Sequence, residues 1–280
     1  MGHRAIHPGE KIMTYRLLAC DIDDTIVRFP DPPSPAVSAA LHAAQERGTV
    51  VTLVTGRAFR RARPVAQMLS LDTPIICNHG GSIRDGRTGD MLHREVLPRA
   101  LATEVVTWMS EQDVHIFVFD QDLVYHTGAL DEVVPDFQVY TCGDQSFYVQ
   151  DLAQSLPQET EIILCTSRDH DRLAEVHSRA AKRFGQRMRV LFSHPYGLDI
   201  MPHSSKSQAL AWLAARLGIP QDSVMAVGDG NNDVDMLLWA GLGIAIGDGA
   251  PDALAQADVI APSFDQDGLA WAIHKYILGD

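Results

Sequence analysis

The chain has 280 residues, 46% of them hydrophobic, and a formal net charge of −13 at pH 7. That length buries a full core in one large or two modest domains, and the acidic balance without a long basic run excludes nucleic acid as a partner. Charges and Gly or Pro interrupt every apolar stretch before it reaches membrane-spanning length, so no membrane partner is expected. The opening Met1-Gly-His-Arg-Ala-Ile-His-Pro-Gly-Glu-Lys carries no apolar signal core. Residues 1–12 read as an N-terminal extension, with Met13 as an alternative start, and the expected location is cytoplasmic.

Leu17-Leu18-Ala19-Cys20 has the length and apolarity of a buried parallel strand, and Asp21-Ile22-Asp23-Asp24-Thr25 follows it directly. Two carboxylates two residues apart therefore stand at a strand's carboxyl end, where open α/β sheets bind ligands. Period-two alternation puts Asp21 and Asp23 on one side if the strand stays extended, and turns Cys20 to the other. Ser34-Pro35 supplies an N-cap and a first helical residue for a helix that stops at Gly48. Thr49–Val54 is a β-branched strand, a helix runs from Gly56-Arg57 to about Ser70, and Pro74–Cys77 is a third strand. This β-α-β-α-β series predicts a parallel, Rossmann-like α/β sheet with right-handed crossovers.

The rhythm then changes. Ser82–Arg84 and Met91–Arg94 flank Asp85-Gly-Arg-Thr-Gly89, a hairpin signal, and His115–Phe119 with Leu123–His126 predict antiparallel strands. Helices at about Pro98–Glu111 and Asp169–Phe184 separate further strands at Glu161–Cys165, Met188–Phe192 and Gly197–Met201. An α+β module at 84–200 is thus inserted in a core made of 13–83 and 201–280. The core resumes with a helix at Ser205–Leu217 closed by Gly218, a strand at Ser223–Val227 and a helix at Asn231–Trp239. Strands at Gly243–Ile246 and Asp258–Ala261 precede a last helix.

Several features carry no chemistry. Cys20, Cys77, Cys142 and Cys165 form no C-x-x-C pair and read as buried reduced thiols. Gly241-Leu-Gly-Ile-Ala-Ile-Gly247 imitates a dinucleotide fingerprint, but its glycines lie before and within a strand rather than between strand and helix. Arg168, Arg172, Arg179, Lys182 and Arg183 read as the solvated face of a helix, and His194 and Tyr196 as loop surface. The histidines show no metal spacing.

Polar residues recur at three more places where packing does not call for them: Thr55-Gly56-Arg57 after the second strand, Lys206 at a helix start, and Gly228-Asp229-Gly-Asn-Asn232-Asp233 after a later strand. With Asp21 and Asp23 these resemble, in order, the four motifs of the haloacid dehalogenase-like (HAD) hydrolase superfamily. The inserted module resembles the type IIB cap, and Gly197-Leu-Asp-Ile-Met-Pro202 before Lys206 resembles the Cof-like subfamily of sugar-phosphate phosphatases. The resemblance implies a Mg²⁺-dependent phosphatase for a small phosphorylated metabolite, acting as a monomer or homodimer. Asp21 would be the nucleophile and Asp23 the acid and then the base. Metal ligands would come from Asp21, Asp229, Asp233 and the main-chain carbonyl of Asp23. Thr55, Gly56, Arg57, Lys206 and Asn232 would hold phosphate.

Elementary chemistry supports these roles. A carboxylate attacks an anionic phosphate ester only with a cation between them, and Mg²⁺ takes oxygen ligands. A helix start offers unpaired N–H groups to an anion, and a lysine there opposes the helix dipole unless an anion is close. Three departures stand out: Asp24 where family members most often have glycine, no glycine before Lys206, and Asn78-His79-Gly80 where Asn-Gly is common. Alternatives are a phosphomannomutase-like phosphotransferase and a non-enzymatic phospholigand-binding module. Dehalogenation is disfavoured because it has no need of Asp23.

Overall fold

The computed structural model describes residues 15–128, 145–194 and 196–279. Residues 1–12, Cys142 and the side chain of His194 therefore lie outside what is described. Among the described residues, one compact unit runs to Leu92 and resumes at Ser205, and the other is His93–Ser204.

In the first unit β1 (Leu17–Cys20) leads to α1 (Pro35–Glu46), β2 (Val50–Leu53), α2 (Phe59–Met68), β3 (Ile75–Cys77), β4 (Ser82–Arg84) and the start of β5 (Met91–Arg94), whose last two residues belong to the second unit. Ser34 caps α1, its hydroxyl accepting from Val37 N at 3.1 Å, and Pro35 takes the first helical position, where a missing N–H costs nothing. β1 pairs in parallel with β2, Cys20 lying opposite Leu53. β1 is buried throughout because it has a core on each face. Leu18 and Cys20 pack with α1 and α2 on one side, while Leu17 and Ala19 pack on the other. Cys20 thus points away from the polar end, and burial pushes its thiol far up, so it is inert. β3 corrects the expected plain third parallel strand. It touches β2 by a single bridge, Val54 to Ile76, and pairs antiparallel with β4 in a separate small sheet completed by β5.

The second unit contains β6 (Leu97–Pro98), α3 (Arg99–Met109), β7 (His115–Asp120), β8 (Leu123–His126), β9 (Gln145–Tyr148), α4 (Leu152–Ser155), β10 (Glu159–Thr160), β11 (Ile162–Thr166), α5 (His170–Phe184), β12 (Arg189–His194) and β13 (Gly197–Met201). Six strands form a sheet in the order β12-β13-β11-β7-β8-β9. The expected β7–β8 hairpin is present, with Asp120 opposite Leu123. Val105, Val106, Leu173 and Val176 of α3 and α5 cover Ile116, Val118, Ile163 and Ile200 on one face. The arginines of α5 are held locally: Arg183 meets Glu104 at 3.8 Å and Arg179 lies over the Trp108 ring. Tyr196 packs its ring against His170, 4.5 Å between centroids.

The first unit resumes with α6 (Lys206–Leu217), β14 (Val224–Gly228), α7 (Val234–Trp239), β15 (Leu242–Ala245), α8 (Pro251–Gln256), β16 (Val259–Ile260) and α9 (Gly268–Ile273). Ser205 caps α6 by accepting from Gln208 N, and Gly218 ends it in the left-handed conformation. The parallel sheet runs β16-β15-β14-β1-β2, so β1 and β14 are neighbours. The glycine-rich stretch at 241–247 contains the buried strand β15, as its pattern predicts. No helix among the described residues is long and apolar enough to cross a membrane.

Candidate active site

The site grows from the adjacent carboxyl ends of β1 and β14. Cys20 pairs with Val227, and Asp21 N donates to Val227 O at 2.9 Å, so the acids that follow each strand emerge side by side. After β14 the chain turns back on itself. Asp233 Oδ2 accepts from Asp229 N at 3.1 Å and from Gly230 N at 2.8 Å. That fold-back explains Gly228, because a Cβ there would lie 2.6 Å from Asp233 Cγ. It also corrects the single helix expected at Asn231–Trp239: Asn231–Asp233 is a 3₁₀ turn and the α-helix begins only at Val234.

Lys206 joins these acids from the start of α6. Its side chain is fully buried, and Nζ donates to Asp21 Oδ1 and to Asp233 Oδ1, each at 2.5 Å. The dipole penalty of a lysine in the first helical turn is thus met by two carboxylates. Asp235 fixes that helix start by accepting from Ser207 N at 3.0 Å and from its hydroxyl at 2.8 Å. Thr25, which sequence reading left without a role, donates its hydroxyl to Asp229 Oδ1 at 3.1 Å.

The charges here are unbalanced. Burial pushes the Asp21 carboxyl well up against the pull of Lys206, and Asp233, Asp229 and Asp23 add to the push. Burial and Asp233 likewise raise Asp229 to about 7, although Thr25 and Lys206 oppose them. Burial works against charge on Lys206, yet Asp21 and Asp233 hold it above the usual lysine range. Asp21, Asp229 and Asp233 bring oxygen atoms within 4.8 Å of one another. Three carboxylates against one ammonium leave a formal charge of −2, and hard oxygen donors so placed fit a divalent cation such as Mg²⁺.

The remaining predicted residues form two flanking groups. Asp23 does not share Asp21's surroundings as an extended strand would have had it. The strand ends at Cys20, the chain turns between Asp23 and Val27, and the Asp23 side chain is 52% exposed. Arg57 grips it through both oxygens, Nη2 to Oδ1 at 2.5 Å and Nε to Oδ2 at 2.9 Å. Asp24 adopts φ +54°, a left-handed backbone that glycine takes freely and aspartate tolerates. Its carboxylate turns to Arg28, Nε at 2.5 Å from Oδ1.

The second group surrounds Thr55. This residue is fully buried, and its hydroxyl accepts from Arg57 N at 3.1 Å, which sets the loop before α2. The helix itself starts at Phe59, later than Gly56-Arg57 suggested. Gly56 lies directly against the ring of His79: a Cβ on it would fall 2.7 Å from Nε2 and 3.0 Å from Nδ1. His79 Nδ1 is 3.5 Å from Asn232 Nδ2. Asn78 turns instead to Ser82, Nδ2 to Oγ at 3.2 Å.

A parallel sheet with an aspartate cluster drawn onto a buried lysine beyond its strand ends defines an α/β enzyme of the carboxylate-centred kind. The family model for haloacid dehalogenase-like hydrolases matches residues 18–273. The chain belongs to that family of hydrolases. It is 29% identical over 245 residues to an HMP-PP phosphatase from Citrobacter koseri, which covers 86% of this chain and 87% of the relative. A haloacid dehalogenase-like hydrolase from Bacteroides thetaiotaomicron has the same fold, with TM-score 0.83, 26% identity, and coverage of 94% of this chain and 99% of that one. The fold is also that of a HAD subclass IIB sugar phosphatase, with TM-score 0.77 at 19% identity over 93% of this chain and 98% of the other.

Proposed function

We propose that the protein is a Mg²⁺-dependent phosphatase acting on a small phosphorylated metabolite, a sugar phosphate in the first instance, through an aspartyl-phosphate on Asp21. The observation that carries this reading is the burial of Lys206 between Asp21 and Asp233 beside Asp229, an arrangement with more carboxylates than cations whose oxygen atoms lie within 4.8 Å of one another. The names of the phosphatase relatives point the same way.

Asp21, Asp229, Asp233 and the main-chain carbonyl of Asp23 would hold Mg²⁺, which when bound supplies positive charge to offset the repulsion between carboxylate and phosphate. An Asp21 oxygen attacks phosphorus, the bond to the leaving alcohol breaks, and Asp23 gives the alcohol its proton. Water then attacks the aspartyl-phosphate, Asp23 takes a proton from it, and phosphate leaves with Asp21 regenerated. Arg57 donates to both oxygens of Asp23 and so favours its ionised form, and loosening that pair would help Asp23 to carry a proton. An incoming phosphate competes for Arg57 and opens it. Lys206, Thr55, Gly56 and Asn232 would hold the remaining phosphate oxygens.

The test is phosphate release from a panel of sugar phosphates, nucleotides and an aryl phosphate, with Mg²⁺ and with EDTA, for wild type and Asp21→Asn. Metal-dependent release is expected, falling by at least about 10⁴-fold in the variant. Wild-type turnover in Asp21→Asn would overturn the mechanism, and no release from any compound would overturn the activity.

A further inference from the structure

We propose that His79 is a positioning residue that fixes the side-chain amide of Asn232 for phosphate binding. The inference rests on the phosphatase reading above for what Asn232 binds, and on separate geometry for how Asn232 is held.

His79 holds its place after β3 at a conformational cost. Its φ of +54° is left-handed, a region a residue with a Cβ enters only against a penalty. The side chain is not on the surface, since the residue is 5% exposed. Its main chain is tied to the phosphate-side loop, His79 N donating to Thr55 O at 3.0 Å and Asn78 N to Arg57 O at 3.0 Å. The ring lies on Gly56, the residue between Thr55 and Arg57, so closely that a Cβ there would have to push the ring aside. One ring edge faces Asn232, at the long end of hydrogen-bond distance. A single imidazole thus joins the loop after β2 to the loop after β14.

The orientation matters because an asparagine amide has two ends of nearly equal shape and opposite polarity. With Nδ1 of His79 accepting, the ring proton sits on Nε2 and Asn232 turns Nδ2 towards the ring, while its Oδ1 lies against Gly230. Nδ2 carries a second hydrogen, which stays available to a phosphate oxygen. Without the ring nitrogen the amide rotates freely and offers its carbonyl oxygen to the anion part of the time. A structural filler on Gly56 would need no nitrogen at this point.

The experiment is a double-mutant cycle on the full-length protein with His79→Phe, Asn232→Ala and the pair. The probe is inorganic phosphate in saturating Mg²⁺, titrated by calorimetry, with KM and kcat on the best compound of the panel as a second readout. His79→Phe keeps a flat ring on Gly56 and removes the nitrogen. Each single change should weaken phosphate binding and raise KM by about fivefold, the scale of one hydrogen bond, with kcat changed less. The pair should be no worse than Asn232→Ala alone. Should thermal melting show that His79→Phe does not fold, His79→Asn carries the same cycle, because asparagine tolerates the left-handed backbone. Effects that multiply in the pair, or unchanged phosphate affinity in the His79 variant, would overturn the positioning role. Phosphate binding that follows the cycle while no compound is hydrolysed would retain it and remove only the phosphatase reading. A wild type that binds no phosphate overturns both.

Discussion

Each unit of this protein sets one cationic side chain among three carboxylates, and water separates the consequences. In the second unit Arg94 reaches Asp120 at 3.1 Å, Glu161 at 3.9 Å, and Glu159. Arg94 keeps 23% of its side chain exposed and Glu159 keeps 49%, so solvent screens part of the excess negative charge, although Asp120 at 18% and Glu161 at 3% are more enclosed. In the first unit Lys206 is 0% exposed, with Asp21 at 7% and Asp233 at 1%, and solvent reaches this cluster only at the half-buried Asp229. The same ratio of acid to base is structural in one place and calls for a bound cation in the other. Among the described residues, the group of acids arranged to hold a metal ion is Asp21, Asp229 and Asp233.

The comparison can be broken in four ways, the largest expected effect first. Replacing Asp23 by Asn should lower kcat by about 10² to 10⁴-fold while calorimetric Mg²⁺ affinity stays near wild type. Retained turnover would take Asp23 out of proton transfer and leave Arg57 with a purely structural partner.

Lys206→Ala removes the one cation from a buried acid cluster, and denaturant unfolding without metal should show a loss of about 3–5 kcal/mol. Mg²⁺ should recover part of it by binding the folded state. Equal losses with and without Mg²⁺ would mean that the cluster is not the metal site.

The third prediction concerns pH. Asp229 is raised to about 7 in the metal-free protein, so below that pH it holds a proton that Mg²⁺ must displace. Mg²⁺ affinity should therefore fall by at least about tenfold per pH unit below 7, since the raised Asp21 carboxyl can only add to the protons displaced. The same raised pKa means that the metal-free fold binds more protons than the unfolded chain between the ordinary carboxylate range and 7. Its stability should drop as pH rises through that window, and Mg²⁺ should reverse the trend.

The smallest effect belongs to the second unit. Arg94→Ala should cost about 1–2 kcal/mol, less than Lys206→Ala, because water screens Arg94 and Glu159 even though Glu161 is buried. A loss as large as that of Lys206→Ala would refute solvent access as the difference between the two clusters.

How much of this was readable in the chain depends on how local the signal is. Apolar runs of strand length followed by acids or by Thr-Gly-Arg fix both the strands and the polar ends, because strand length, turn residues and caps are decided within a few neighbours. Hence Asp21, Thr55, Lys206 and Asp229 stood at the right element ends in the sequence. Asp24 in a glycine position was also visible as an oddity, and its left-handed backbone is the reason.

Side-chain direction past the last strand residue was not readable. Alternation speaks only to the side on which Asp23 emerges; that the ladder ends at Cys20 and the turn after it leaves Asp23 exposed and paired with Arg57 is outside its reach. β3 keeps a single parallel bridge, Val54 to Ile76, and joins β4 on its other side, a sheet assignment no local pattern announces. His79 became a site neighbour only because Gly56 and Asn232 arrive against it from segments far apart in the chain.

The sequence by itself determined the family, the order of the elements and the residue types at the strand ends, since those follow from local pattern. Only the tertiary structure decided which charges are buried together. Lys206 meets Asp21 across 185 residues of chain, and the unscreened charge that makes their cluster a site exists only once packing has excluded water from both.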